Sequence, residues 1–258
     1  MIDGKQQTEV TAYFSRGPDA YAGEYGRETA NGYSFRVRRE RLLELLGAGS
    51  GKLLDIGCGP GVMTAEIVGL GWDYVGLDIS EAMVAEARRR FPEGERVKFG
   101  TASVEHLLAA DSAFDAVVAM GLVEYLDDDL AAVKELARVV KPGGRVFVSI
   151  PNRWSPVRCW DRWVLGPLIR VRRFLRRRTA ASGVRHREHS VSSYGQILEA
   201  AGLAPTAVVA YNFRVLPRPA DAILPSLAVR TAKLFEPLRK TPFSFLGTGY
   251  IIEAVKRS

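Results

Sequence analysis

Cysteine and histidine are both scarce in this chain of 258 residues. The two cysteines, Cys58 and Cys159, supply no disulfide framework, and one of them sits inside a glycine-rich run, which suits a reducing compartment. His106, His186 and His189 are the three histidines, and the His-x-x-His of 186–189 has no cysteine pair beside it, so no metal site is expected. No apolar run approaches the roughly 20 residues of a membrane span, and no signal-peptide pattern precedes the first polar residues. The expected location is therefore cytoplasmic, with peripheral contact to a membrane left open. Internal repeats and low-complexity tracts are also missing, as is a Gly-Lys-Ser/Thr phosphate loop.

Apolar side chains make up 47% and charged ones 25% of the chain, enough for one large core, so a single domain over 1–258 with decorations is expected. The net charge of +7 is uneven. Residues 153–190 hold eleven arginines against Asp161 and Glu188, a local balance of +9, so the rest of the chain is slightly acidic. A segment of this kind meets anions.

The run Lys52-Leu53-Leu54-Asp55-Ile56-Gly57-Cys58-Gly59-Pro60-Gly61 predicts a buried strand turning tightly into a helix, because a backbone that bends sharply under a ligand cannot carry side chains there. The third glycine comes one residue early for a dinucleotide fingerprint, which weakens a NAD or FAD reading. A second predicted strand, Asp73 to Asp78, ends in an acid suited to grip both hydroxyls of a ribose.

Leu54 to Gly61 together with Gly76-Leu77-Asp78-Ile79-Ser80 resembles a class I S-adenosylmethionine-dependent methyltransferase. The likeness runs on through Phe114 to Met120 and Leu136 to Gly144, in register over about residues 30 to 150. It implies a cofactor, S-adenosylmethionine, with Asp55, Gly57, Gly59 and Gly61 around its methionine part, Asp78 on the ribose and Ile79 on the adenine. It also implies an arginine on the helix before the glycine loop that pairs with the methionine carboxylate. Arg36 falls at about the right place, with Arg38 and Arg39 as competitors. After the third strand relatives usually carry an Asp that contacts adenine. Thr101 stands there instead, leaving Ala102 and Ser103 to offer backbone groups and a hydroxyl. Met120 ends the fourth strand beside the cofactor cleft.

The expected fold is α/β, a doubly wound Rossmann-like sheet, mostly parallel with an antiparallel last strand, plus helical insertions. Helices are predicted near 36–46, 62–70, 81–90 and 130–140. Three decorations surround this core: an N-terminal arm over 1–33, a basic helical insertion over 153–190 that begins at Ser155-Pro156 and breaks before Gly166-Pro167, and a lid-like excursion over 216–247. The insertion sets tryptophans opposite arginines, which fits a flap on the sheet edge, an anionic membrane surface or RNA.

A sulfonium methyl group is already electrophilic, so the protein must mainly align donor and acceptor. If the acceptor is a hydroxyl or an acidic carbon, a base helps. His189, ahead of the helix before the sixth strand, and Glu124, just past the fourth, are the catalytic candidates. No Asn-Pro-Pro-Tyr follows the fourth strand, which argues against methylation of nucleobase or glutamine nitrogen. The leading expectation is O- or C-methylation of a small, apolar or lipid-like acceptor. An RNA methyltransferase using the arginine segment and a catalytically silent cofactor-binding module are the alternatives.

Overall fold

A computed structural model describes residues 9–12, 17–175 and 187–257, for 171–175 the backbone alone. Arg176, Arg177, Arg178 and His186, and the side chains of Arg172 and Arg173, lie outside the described residues.

Seven strands form one sheet in the order β3-β2-β1-β4-β5-β7-β6. They are β1 Gly51–Ile56, β2 Trp72–Asp78, β3 Val97–Thr101, β4 Phe114–Ala119, β5 Val140–Pro151, β6 Leu203–Tyr211 and β7 Gly249–Lys256. The first five pair in parallel, and β7 runs antiparallel to both β5 and β6. This is the expected doubly wound sheet. Its central strands are apolar almost throughout because both faces are covered: Leu53 points into one core layer and Leu54 into the other.

The helices are α1 Pro18–Glu24, α2 Ala30–Leu46, α3 Thr64–Gly69, α4 Glu81–Arg90, α5 Asp129–Val139, α6 Pro156–Trp160, α7 Gly166–Leu175, α8 Val191–Ala200, α9 Ala220–Ile223 and α10 Pro225–Phe235. Thr29, Ser80, Asp128, Ser155 and Ser190 each cap one by accepting a backbone N–H of its first turn.

Three boundaries differ from the sequence reading. Helix α2 begins at Ala30 rather than near Arg36, because the Thr29 hydroxyl accepts the Gly32 N–H at 3.1 Å and starts it early. Strand β6 begins at Leu203, three residues before Thr206, where the sequence pattern places its start. Pro205 is tolerated there because β6 is an edge strand and the register shifts between Pro205 and Ala207. The expected break before Gly166-Pro167 is instead a π-helical turn, Asp161–Leu165, which keeps α6 and α7 continuous where Pro167 has no N–H to give.

The excursion folds as α9, α10 and two 3₁₀ turns, Glu236–Lys240 and Pro242–Leu246. Helix α10 buries Ala228, Val229 and Ala232, of which Val229 and Ala232 join the core layer of α2. The insertion docks on the excursion. Arg218 pairs with Asp161 at 2.6 Å, and the Trp160 indole N–H donates to the Arg218 carbonyl at 3.1 Å. Glu188 holds Arg158 at 3.0 Å and also Arg162, tying the insertion back to the segment before α8.

Candidate active site

The carboxyl ends of β1, β2 and β4 and the residues just past β3 open into one cleft, where ligands of doubly wound sheets bind. At its floor the N–H groups of Gly57 and Cys58 both donate to the Leu77 carbonyl, at 2.7 and 3.1 Å, and pin the glycine turn against β2. Gly59 has φ 54°, and a Cβ on it would project to 3.6 Å from the Tyr21 ring, into the space between turn and N-terminal arm.

Asp78, at the tip of β2, is buried. Its Oδ2 accepts the Gly59 N–H and its Oδ1 the Ser80 N–H, both at 2.9 Å. Burial raises its pKa, against the pull of the backbone N–H groups of Ser80, Gly59 and Ile79. Each carboxylate oxygen has a further lone pair for a ligand hydroxyl.

The cleft runs from the glycine turn past the tip of β2 and is partly open to solvent. Ile79, Met83, Ala102, Ser103 and Val104 wall one end. Met120, Gly121, Leu122, Tyr125 and Leu126 wall the other, and Val10 and Tyr21 close over it from the arm. A mostly apolar cleft beside the Asp78 carboxylate, with Glu105 and Asp127 also in its lining and a turn stripped of side chains at its floor, fits S-adenosylmethionine.

Among the residues singled out from sequence, Gly57, Gly59, Asp78, Ile79, Ala102, Ser103 and Met120 line this cleft. Thr101 pairs with Asp78 in the sheet register and is exposed, outside the lining. Gly61 faces away, since a Cβ there would meet Thr64 Oγ1 at 3.0 Å and Phe91 at 3.3 Å; its bareness serves packing against α4. Asp55 is buried beneath the turn. Its Oδ2 accepts the Tyr74 hydroxyl at 2.8 Å, and its Oδ1 has no hydrogen-bond partner.

Arg36 points to the other side of α2. It donates to the carbonyls of Tyr25 and Arg27, at 2.9 and 2.7 Å, and pairs with Glu28, clamping the turn between α1 and α2. Arg38 is the arginine brought to the cleft. It is buried, its Nη1 stands 2.7 Å from where a Gly121 Cβ would be, and its guanidinium lies over the Phe35 ring at 5.3 Å. Burial works against its charge, yet Tyr211, Tyr25, Tyr21 and Glu124 together raise its pKa above the ordinary arginine value. Arg36, Arg39 and Arg41 all have glutamate partners. Arg38 has none among the described residues.

Glu124 lies in the 3₁₀ turn Val123–Tyr125 just past β4; burial is what chiefly raises the phenols of Tyr21 and Tyr211, and the Glu124 charge adds to both and to the rise of Arg38. His189 sits elsewhere. It is buried edge-on to Tyr194, with Nε2 3.6 Å from Asp129 Oδ2, and burial first and Arg187 second lower its pKa. Its backbone pairs with that of Asn152 in an isolated bridge, and His189 is outside the cleft lining.

Tyr21 and Val10 were not singled out as site residues from the sequence. Tyr21 was one aromatic among several in the arm, and only the fold lays it across Gly59.

Sheet order, glycine turn and carboxylate-tipped β2 define a Rossmann-like α/β nucleoside-binding protein. Residues 54–148 match the family model described as a methyltransferase domain. The ubiquinone biosynthesis O-methyltransferase of Thiobacillus denitrificans is 39% identical over 104 residues, covering 40% of this chain and 45% of that protein. The protein of the same name from Xanthomonas oryzae pv. oryzae is 36% identical over 113 residues, covering 43% and 46%. The chain thus spans less than half the length of these curated relatives.

Two solved structures share the fold over nearly the whole chain. A magnesium protoporphyrin IX methyltransferase from Synechocystis PCC 6803 with bound SAH has TM-score 0.64 and 18% identity, covering 97% of this chain and 99% of that one. A possible histamine N-methyltransferase from Thermotoga maritima has TM-score 0.64 and 19% identity, covering 95% and 98%. Over residues 54–148 the chain is thus similar to a methyltransferase domain, and its fold is the one these S-adenosylmethionine-dependent methyltransferases share.

Proposed function

We propose that the protein methylates an oxygen of a small, apolar, lipid-like acceptor. One observation carries this reading: beyond Met120 and Gly121 most of the cleft wall is aliphatic and aromatic, formed by Leu122, Tyr125, Leu126 and Tyr21, with Asp127 and Glu105 as the acidic members of the lining. The O-methyltransferase relatives agree with it over the matched segment.

S-adenosylmethionine, when bound, supplies a methyl group already activated on sulfur. The chain's own residues hold the ribose on Asp78, exclude water with Tyr21 and Leu122, and bring the acceptor oxygen into line. Arg38 is assigned to a carboxylate at the methionine end of the cleft, in place of Arg36. Glu124 takes the proton that a hydroxyl acceptor loses. His189 is a weaker choice for that role, because its imidazole faces Asp129 and Tyr194. The chain is proposed to form a single domain and to work in the cytoplasm.

Methyl transfer from labelled cofactor to organic-soluble and RNA extracts tests the acceptor class. Label is expected in the organic phase, and label confined to RNA would overturn the reading. Once an acceptor is in hand, Glu124→Gln should lower turnover about tenfold to a hundredfold with cofactor affinity unchanged. Arg38→Met should instead weaken cofactor binding about tenfold, as loss of a charge-assisted hydrogen bond does. If both variants bind and turn over like the wild type, these assignments fail.

A further inference from the structure

We infer that the insertion and the excursion together form a docking face for an anionic phospholipid bilayer. The described part of the insertion leaves large apolar side chains in water: Trp163 is 70% exposed and Leu168 61%, with Val164 and Ile169 beside them. The excursion adds Ile223, 70% exposed, with Leu224 and Leu227. These tracts lie 50 to 60 residues apart in sequence and become neighbours because Arg218 and Trp160 tie the insertion to the start of α9. Scattered exposed apolar residues need no explanation, but two adjoining amphipathic helical segments do.

The charges around this face are one-sided. Its carboxylates are consumed internally: Asp161 by Arg218, Glu188 by Arg158 and Arg162, Asp221 by Arg214. Arg153, Arg170 and Arg230 are left exposed on the same elements, Arg153 lying over the Trp154 ring at 5.5 Å. Tryptophans and leucines among arginines, with no free acid, match a surface that is apolar below and anionic at the headgroups. A nucleic acid would take the arginines and leave Leu168, Ile169 and Ile223 without a partner. No helix among the described residues is long and apolar enough to cross a membrane, so the contact is interfacial.

Cosedimentation of the full chain with phosphatidylcholine vesicles, with and without phosphatidylglycerol, tests the proposal with no need of an acceptor. Wild type should bind the anionic vesicles, with a blue shift in tryptophan emission, and salt should weaken binding. Each arginine at such a surface contributes about fivefold. The double variant Trp163→Asp and Leu168→Asp should lose binding at least about tenfold while melting like the wild type. Leu108→Asp, at a fully exposed leucine outside both decorations, should bind normally. Absence of vesicle binding at low salt, undiminished binding by the double variant, binding to single-stranded RNA in place of vesicles, or a wild-type dimer that the double variant dissociates without any vesicle binding would each overturn the proposal.

Discussion

Asp78→Ala is expected to weaken S-adenosylmethionine binding by at least about a hundredfold. The carboxylate is held in place before any ligand arrives, by the N–H groups of Gly59 and Ser80 at 2.9 Å each, so little ordering is required when the ribose docks. Two hydrogen bonds from ribose hydroxyls to a charged acceptor are worth roughly 1.5–3 kcal/mol apiece, and the alanine variant loses both. It also frees the Gly59 and Ser80 amides, but the cleft is open to water, which can solvate them. The fold should therefore survive, and the effect should appear in calorimetric titration with cofactor rather than in the melting curve. Asp78→Asn, which retains one acceptor oxygen, should fall between wild type and alanine. An affinity for Asp78→Ala within about threefold of wild type would remove Asp78 from the site.

The second large effect concerns Asp55 and is a gain of stability. Asp55 is about 1% exposed; burial comes first, and the nearby Asp78 carboxylate adds to it, in pushing its pKa up to about 7, against the hydrogen bond from Tyr74. An acid whose folded pKa lies above its unfolded value holds a proton in the native state that the unfolded chain releases. Stability must then fall as pH rises from about 4 to about 7, with the full deficit present above that window and none below it. A shift of this size corresponds to roughly 4 kcal/mol at 1.36 kcal/mol per unit. Asp55→Asn removes the charge and leaves an oxygen to accept the Tyr74 hydroxyl. Its amide N–H groups face the same partnerless space as the proton of the neutral acid. The variant without cofactor should melt at least about 5 °C higher than wild type near pH 8. That gain should shrink as pH approaches 5. Equal melting temperatures across this range would show that the native protein keeps Asp55 charged at no cost.

The two aspartates differ in kind although both flank the glycine turn. Asp78 is fixed by backbone donors and opens to the cleft; Asp55 lies under it with one oxygen unpaired. If the ligand's cation approaches Asp55, cofactor should stabilise wild type more than Asp55→Asn, and the same melts read this out.

Much of the cleft was legible from local pattern. The glycine turn, the acid at the end of β2 and the apolar strands between helices follow from spacing along the chain, because a tight turn and a two-residue or 3.6-residue period are set by neighbours in sequence. Ser155, ahead of Pro156, marks a helix start for the same reason.

What the sequence by itself determined is therefore the strand-turn-helix frame and the carboxylate at its edge. Tertiary structure alone decided which side chains meet there. Arg36 and Arg38 are two positions apart on α2, about 200° around its axis, so packing of that helix sends one to the Tyr25 and Arg27 carbonyls and the other to Gly121. His189 faces Asp129, a contact between residues 60 apart. Tyr21 reaches Gly59 only because α1 folds back over the strand ends. These are long-range contacts, chosen by burial of whole elements against one another, and no local period encodes them.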